Sequence, residues 1–225
     1  MTHEEHHRAL VTRLAGGIMP VQRLWPASVR LVLWLALESA VLAWVIVHAR
    51  NDFMPKLARP AYLLEFMSFG TAAILSAWCA LKSALPGRVV RPVEAFLCLV
   101  LVLAGTTIVA VSQQPNFNGQ LGAFVKLGIP CVCLTGLLAA LPWLVLWWTV
   151  KRGAPLQGAI SGLWIGAAAF FSAFAMMRIV CPIDDPLHLI TWHLLPALVA
   201  TALSASAGRI WLGLRLRLLP RHRAA

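Results

Sequence analysis

Apolar residues in this chain fall in long blocks, not in alternating stripes. An α-helix needs about 20 apolar residues to cross a bilayer core. Measured against that length, the blocks predict six spans, at roughly 29–48, 61–82, 93–112, 129–150, 157–180 and 187–211. Turn chemistry separates them. Asn51, Asp52, Pro55 and Pro60 fill the first gap, PGRVVRP (Pro86 to Pro92) the second, and QQPNFNGQ (Gln113 to Gln120) the third. KRGAPLQG (Lys151 to Gly158) and CPIDDP (Cys181 to Pro186) fill the last two. Pro92 and Pro130 sit just inside predicted helix starts, where a missing N–H costs nothing. The segment Leu121 to Leu127 either extends the fourth span or lies along the interface. The pattern predicts an all-α membrane protein, a bundle of six transmembrane helices in three antiparallel hairpins, because the connections are short.

Composition agrees. The chain has 225 residues, 60% of them hydrophobic and only 12% charged. A soluble domain carries roughly 25% charged residues, so a water-soluble enzyme core is excluded. The first apolar run is too long for a signal-peptide core and lacks a small-residue cleavage site, so we expect the first helix to be retained. The net charge of +11 would suit a nucleic-acid binder, but cationic residues of membrane proteins collect in cytoplasmic loops and tails, and no direct nucleic-acid binding is expected. One side of the predicted bundle carries Arg8, Arg13, Arg23, Arg30, Lys82, Arg88, Arg91, Lys151, Arg152, Arg209, Arg215, Arg217, Arg221 and Arg223. The other carries Arg50, Lys56, Arg59, Lys126 and Arg178. This bias of fourteen to five puts both termini in the cytoplasm. The organisation is then a cytoplasmic N-tail (1–28), a membrane domain (29–211) and a basic C-tail (212–225).

Polar residues inside the spans narrow the chemistry. Gly158, Gly162 and Gly166 make a bare stripe on span five, and Ala197, Thr201 and Ala205 keep the same rhythm on span six. Such stripes let helix backbones approach closely in lipid. Glu38 and Glu65 lie within spans, where a carboxyl is costly and faces the interior. With no intramembrane Lys or Arg to pair with, they read as neutral groups that fix helix packing. The alternative is a small ion or proton transporter in which Glu38, Glu65 and His193 converge on one cavity. Glu94 caps the start of span three. His188 and His193 match no strong metal pattern and read as packing donors. His3, His6 and His7 lie in a solvated tail. No catalytic constellation, phosphate loop or cofactor motif is present, so the chain does not read as an enzyme.

The predicted topology sorts the five cysteines. Cys79 and Cys98 fall near the cytoplasmic ends of spans two and three, where they are expected to be buried and inert. Cys131, Cys133 and Cys181 fall at the outer face, which in a bacterial inner membrane is oxidising. Cys131 and Cys181 sit at similar depth. They are a structural disulfide, a thiol pair sensing oxidants or soft metals, or ordinary membrane cysteines. Cys133, two residues on along the helix, points away from Cys131. Asp184 and Asp185, next to Cys181, are expected to raise its pKa.

Several strings, in this order and topology, resemble one family. They are PVQRLWP (Pro20 to Pro26), RGAP (Arg152 to Pro155) and CPIDDPLHLITWH (Cys181 to His193), with Cys131 opening span four and Pro142 inside it. The chain resembles the NrsF family of six-span bacterial membrane anti-sigma factors over nearly its whole length. The resemblance implies that it sequesters an extracytoplasmic-function sigma factor at the inner membrane and releases it under oxidant or heavy-metal stress. It implies that Cys131 and Cys181 carry the signal, with Cys133 as a possible third thiol and possible metal ligation by the pair. On that reading the N-tail binds the sigma factor through a short helix presenting Leu10, Val11 and Leu14, with Arg13 beside them, and Arg23 and Arg30 anchor the tail at anionic lipid.

Overall fold

The computed structural model describes residues 3–16, 24–85, 87–112, 119–153 and 155–212. Among them every regular element is helical. The order is α1 (His3–Gly16), α2 (Ala27–Val47), the short α3 (Phe53–Leu57), α4 (Pro60–Ser83), α5 (Pro92–Ser112), α6 (Leu121–Lys151), α7 (Gly158–Val180), α8 (Pro186–Leu189), a π-helical turn (Ile190–Leu194) and α9 (Leu195–Trp211). Six helical stretches are long and apolar enough to cross a membrane: α2, α4, α5, α6, α7 and the composite Pro186–Trp211. The chain is a multi-pass membrane protein.

Helix α7 is the axis of the bundle. Its most apolar window is 83% buried, against 17% for α5 and 22% for α2. It packs on α4, α6 and α9, and α5 leans on α4 at the periphery. Sequence explains the central place of α7. Gly162, Gly166, Ala167, Ala168, Ala169, Ser172, Ala173 and Ala175 keep it thin, and a thin helix can be enclosed on all sides without leaving voids. The expected glycine stripe is the α7–α9 seam. A Cβ on Gly162 would strike Ser204 O, and one on Gly166 would lie 2.8 Å from Thr201 Cα. Gly208 faces the carbonyl of Gly158 in the same way. Ser204 Oγ donates to Gly162 O at 2.7 Å and accepts from Trp143 Nε1 at 2.9 Å, so α6, α7 and α9 meet at one hydroxyl.

Two findings refine the sequence reading. Of the two courses open to Leu121–Leu127, the structure shows continuation of the helix that contains Pro130. Helix α6 starts at Leu121, and Pro130 and Pro142 both lie inside it. Pro142 is buried among neighbouring helices, a setting in which membrane helices tolerate proline, whereas Pro130 lies on the exposed face of α6. The acids are not all without a basic partner. Glu65 pairs with Arg178, whose Nε lies 2.6 Å from Glu65 Oε1, and each side chain is 1% exposed. The charge pattern counts Arg178 among the residues of the outer side, at the end of the fifth span; in the structure its guanidinium turns inward to Glu65.

At the opposite end of the bundle, Lys82 Nζ donates to both oxygens of Glu94, at 2.6 and 2.9 Å, while Arg91 N donates to Glu94 Oε2 at 2.8 Å. Glu94 therefore caps α5, as expected, and also ties it to α4. Cys79 and Cys98 are buried nearby, Cys98 Sγ lying 3.2 Å from Ser76 Oγ.

The seam and the buried pair give two expected outcomes. Gly162→Leu overpacks α7 against Ser204 and should lower stability by about 1–3 kcal/mol, whereas Gly136→Ala, which has open space for its Cβ, should be near neutral. Thermal unfolding in detergent, followed by tryptophan fluorescence, checks both. Arg178→Met leaves Glu65 charged and unpaired in the core and should cost about 3–5 kcal/mol. The double variant Arg178→Met, Glu65→Leu should recover much of that loss in the same assay.

Candidate functional site

The site is built at the Arg178 end of α7. Arg178 Nη1 donates to Asp184 Oδ1 at 3.0 Å, and Tyr62 Oη donates to Arg178 O at 2.6 Å. Arg50 adds a two-point contact to Asp184, both at 3.0 Å, and Lys56 also pairs with it. Arg50 further donates to the carbonyls of Cys181 at 2.7 Å and Pro182 at 3.0 Å. With Asp52 held by Arg50 and Lys56, three cations meet three carboxylates, and the local charge balances. Asp52 is held below its usual carboxylate range, chiefly by its hydrogen bond from Arg50. Burial lowers the Lys56 ammonium, and repulsion from Arg50 adds to that. The CPIDDP connection is thus pinned by Arg50 between α2 and α3, by Lys56 of α3 and by Arg178 of α7.

Asp185 caps α8. Its Oδ1 accepts from Leu187 N at 2.8 Å and His188 N at 3.1 Å, and Pro186 takes the first helical position. This is efficient N-terminal chemistry. The helix then widens into the π turn Ile190–Leu194. On an α-helix, side chains five residues apart diverge by about 140°. The wider turn brings His193 round to the side of His188, and their Nε2 atoms lie 3.4 Å apart. Both rings are buried.

The extension of α6 closes the site from the other side. Gly128 has no side chain, and a Cβ there would strike the Trp192 indole. Trp192 therefore lies flat against α6, with Phe124 5.6 Å away, centroid to centroid. Phe124 also meets His188 edge to face at 6.2 Å. One turn further on, Cys131 reaches Cys181, with an Sγ–Sγ distance of 3.8 Å. Cys181 Sγ lies 3.7 Å from His188 Nε2. The sulfurs of Cys131 and Cys181 and one ring nitrogen each of His188 and His193 all lie within 4.8 Å of one another. Two thiols and two imidazoles can bind a soft or borderline metal ion, share protons, or react at sulfur.

The sequence reading places Cys131 and Cys181 at one depth, and the structure brings them together. Cys133 is exposed and takes no part. The histidines correct that reading. They are not separate packing donors but neighbours of the cysteine pair, and only the π turn makes them so. The acids beside Cys181 also act otherwise than expected. Asp184 is neutralised by three cations and Asp185 by a helix N-terminus. The Cys181 thiol is instead pulled below its ordinary range, chiefly by the hydrogen bond from Cys131, with His188 and His193 contributing.

Glu38, Glu65 and His193 do not share a cavity. Glu38 accepts from Ser172 Oγ at 3.1 Å and borders a cleft of ≈ 250 Å³ with Trp34, Phe66 and Thr71. Glu65 is held by Arg178, and His193 belongs to the cysteine cluster. Arg30 is not spread on the bundle surface. It is 6% exposed, and its Nη2 donates to Leu81 O at 3.5 Å. It borders a cleft of ≈ 400 Å³ with Trp25, Trp148 and Arg152. On α1, Leu10 and Val11 are exposed. The side chains of Arg13 and Leu14, and with them Arg23 and the tail 213–225, lie outside the described residues.

No curated protein and no solved structure matches this chain. A family model does, over residues 14–213, and it takes in the six membrane-spanning helices, both cysteines and both histidines. The chain belongs to the NrsF family, described as negative regulator of sigma F.

Proposed function

We propose that this protein is a membrane-bound anti-sigma factor that holds an extracytoplasmic-function sigma factor at the bacterial inner membrane and releases it when Cys131 and Cys181 meet oxidant or heavy metal. The observation that carries the sensing half is the 3.8 Å approach of two sulfurs from distant parts of the chain. Thiols so close can oxidise together or clamp one soft ion. Reaction there acts on α6 and on the connection leading out of α7 together.

The orientation rests on the bias of Lys and Arg, fourteen against five. It places both termini in the cytoplasm, arranges the spans as three antiparallel hairpins, and puts the thiol pair on the outer side. Residues 1–28 form the sigma-binding tail, 29–211 the membrane domain and 212–225 a basic cytoplasmic tail. The tail helix α1 supports a helix-in-groove contact. Leu10 and Val11 are exposed there and offer an apolar edge for the sigma factor. The tail is basic overall, so apolar contact and not bulk charge has to supply the affinity.

The transmitting element is α7. It is enclosed by α4, α6 and α9 and ends at Cys181, so a displacement at that end is passed to the seam with α9 and on to the tail side. A switch of this kind needs two discrete packings of the bundle.

Affinity co-purification from the native host tests the binding half. The full-length tagged protein should recover one sigma factor. Removal of residues 1–28, or the pair Leu10→Asp and Val11→Asp, should lose it, while the membrane domain stays folded. Recovery of the same sigma factor without the tail would move the binding site elsewhere. For the sensing half, Cys131→Ser with Cys181→Ser should abolish induction of sigma-dependent transcription by oxidant and by cadmium. Cys133→Ser should leave it unchanged. Full induction in the double variant would refute the role of the pair.

A further inference from the structure

We infer that Cys131, Cys181, His188 and His193 form a closed four-coordinate site for a borderline-to-soft divalent cation of the Zn²⁺ and Cd²⁺ class. The inference rests on the sensing reading only for its regulatory consequence. Metal binding itself is measured without any sigma factor, so the two can fail separately.

Geometry is the first support. A tetrahedral zinc centre with bonds of about 2.3 Å to sulfur and about 2.0–2.1 Å to nitrogen has edges of about 3.8 Å between sulfurs, about 3.3 Å between nitrogens and about 3.5 Å between unlike donors. The corresponding distances here are 3.8 Å between sulfurs, 3.4 Å between nitrogens and 3.7 Å from Cys181 Sγ to His188 Nε2. A linear hydrogen-bond relay would explain the consecutive contacts, but it would leave its ends apart. Here the first and last members, Cys131 and His193, lie within 4.8 Å of each other as well. The four donor atoms form one compact group within reach of a single ion.

Charge is the second support. Binding a divalent cation deprotonates both thiols, and the two protons leave to water. Two thiolates, two neutral imidazoles and one M²⁺ sum to zero. A neutral centre suits a place where His188, His193 and Cys181 are buried and where the adjoining ion cluster is already balanced. The donor set excludes Mg²⁺ and Ca²⁺, which take oxygen ligands, and favours Zn²⁺ and Cd²⁺. Four protein donors leave no open coordination position, so the site is of the structural and not the hydrolytic kind. Cys131 is half-buried and offers the way in.

Local structure is the third support. A π turn inside a helix is rare and gathers at functional sites. This one serves to turn His193 toward His188, and Gly128 admits Trp192 so that α6 can bring Cys131 within reach. An ion held there would fasten α6, the α7–α8 connection and the π turn together. Its loss or exchange would free three elements at once.

The test uses full-length protein in detergent, stripped with chelator and titrated with Co²⁺ as the spectroscopic probe. The expected result is one Co²⁺ per chain with the intense visible bands of tetrahedral cobalt and a sulfur-to-cobalt band in the near ultraviolet. Zn²⁺ or Cd²⁺ should bleach both. His188→Ala, His193→Ala, Cys131→Ser and Cys181→Ser should each weaken binding by more than the roughly 10–100-fold that loss of an outer hydrogen-bond partner of a metal ligand costs. Cys133→Ser should bind like the parent. A pale octahedral spectrum, or histidine variants that bind as the parent does, would overturn the assignment. If a variant does not fold, protection in the unmutated protein decides. Zn²⁺ should slow maleimide labelling of Cys131 and leave the exposed Cys133 reactive. Equal labelling of Cys131 with and without Zn²⁺ would refute the site.

Discussion

A guanidinium that finishes a helix within the apolar part of a bundle has to find its counter-charges inside the protein. Arg178 meets this constraint with Glu65 on α4 and Asp184 on the connection after α7. Arg50 and Lys56 then balance the remaining negative charge. The layout of the outer end depends on this arrangement. Because Asp184 is fixed, the CPIDDP segment has one path. Because that path is fixed, Cys181 faces α6 and Asp185 meets the first amides of α8. A buried ion pair contributes little net stability compared with a well-packed apolar pair. Its value here is positional, since it sets where a reactive sulfur stands.

The body of the bundle obeys a different rule. Lipid gives helices no hydrophobic reason to prefer one another, so close contact has to come from small residues and a few hydrogen bonds. Helix α7 concentrates both. Its glycine and alanine faces admit α9 and α4, and Ser204 and Trp143 bind three helices at one point. The helix that ends at Cys181 is therefore also the one most completely enclosed. Chemistry at its tip is not local, because no neighbour can shift without it.

Much of this was legible in the sequence. Block length alone located the six long apolar helices to within a few residues, with the start of α6 as the exception. The spacing of Gly158, Gly162 and Gly166 announced the α7–α9 seam. The common depth of Cys131 and Cys181 announced their meeting. The features that escaped have a shared cause. Hydropathy reports which residues are in a helix but not how far the helix is rotated, so Arg178 counted only as an outer-side charge when it points inward to Glu65. Helix α6 extends ahead of Pro130, where its Phe124 and Gly128 pack against Trp192, a contact that no local pattern displays. His188 and His193, five apart, looked unrelated because a uniform α-helix would have kept them so.

That spacing has a consequence for the chain beyond the histidines. A π turn holds one residue more than an α turn, so it offsets everything after it by about 100° around the helix axis. The segment Pro186–Trp211 is in this sense two helices in different phase that share one axis. The first phase is set by what His188 must face, the second by what Thr201, Ser204 and Gly208 must fit. Deleting a single residue between His188 and Leu195 would leave the sequence of each part almost intact and the spanning length sufficient. It would still force a choice, since one rotation would serve the outer cluster and another the seam with α7. The extra residue lets a single span satisfy two faces that no continuous α-helix could present together.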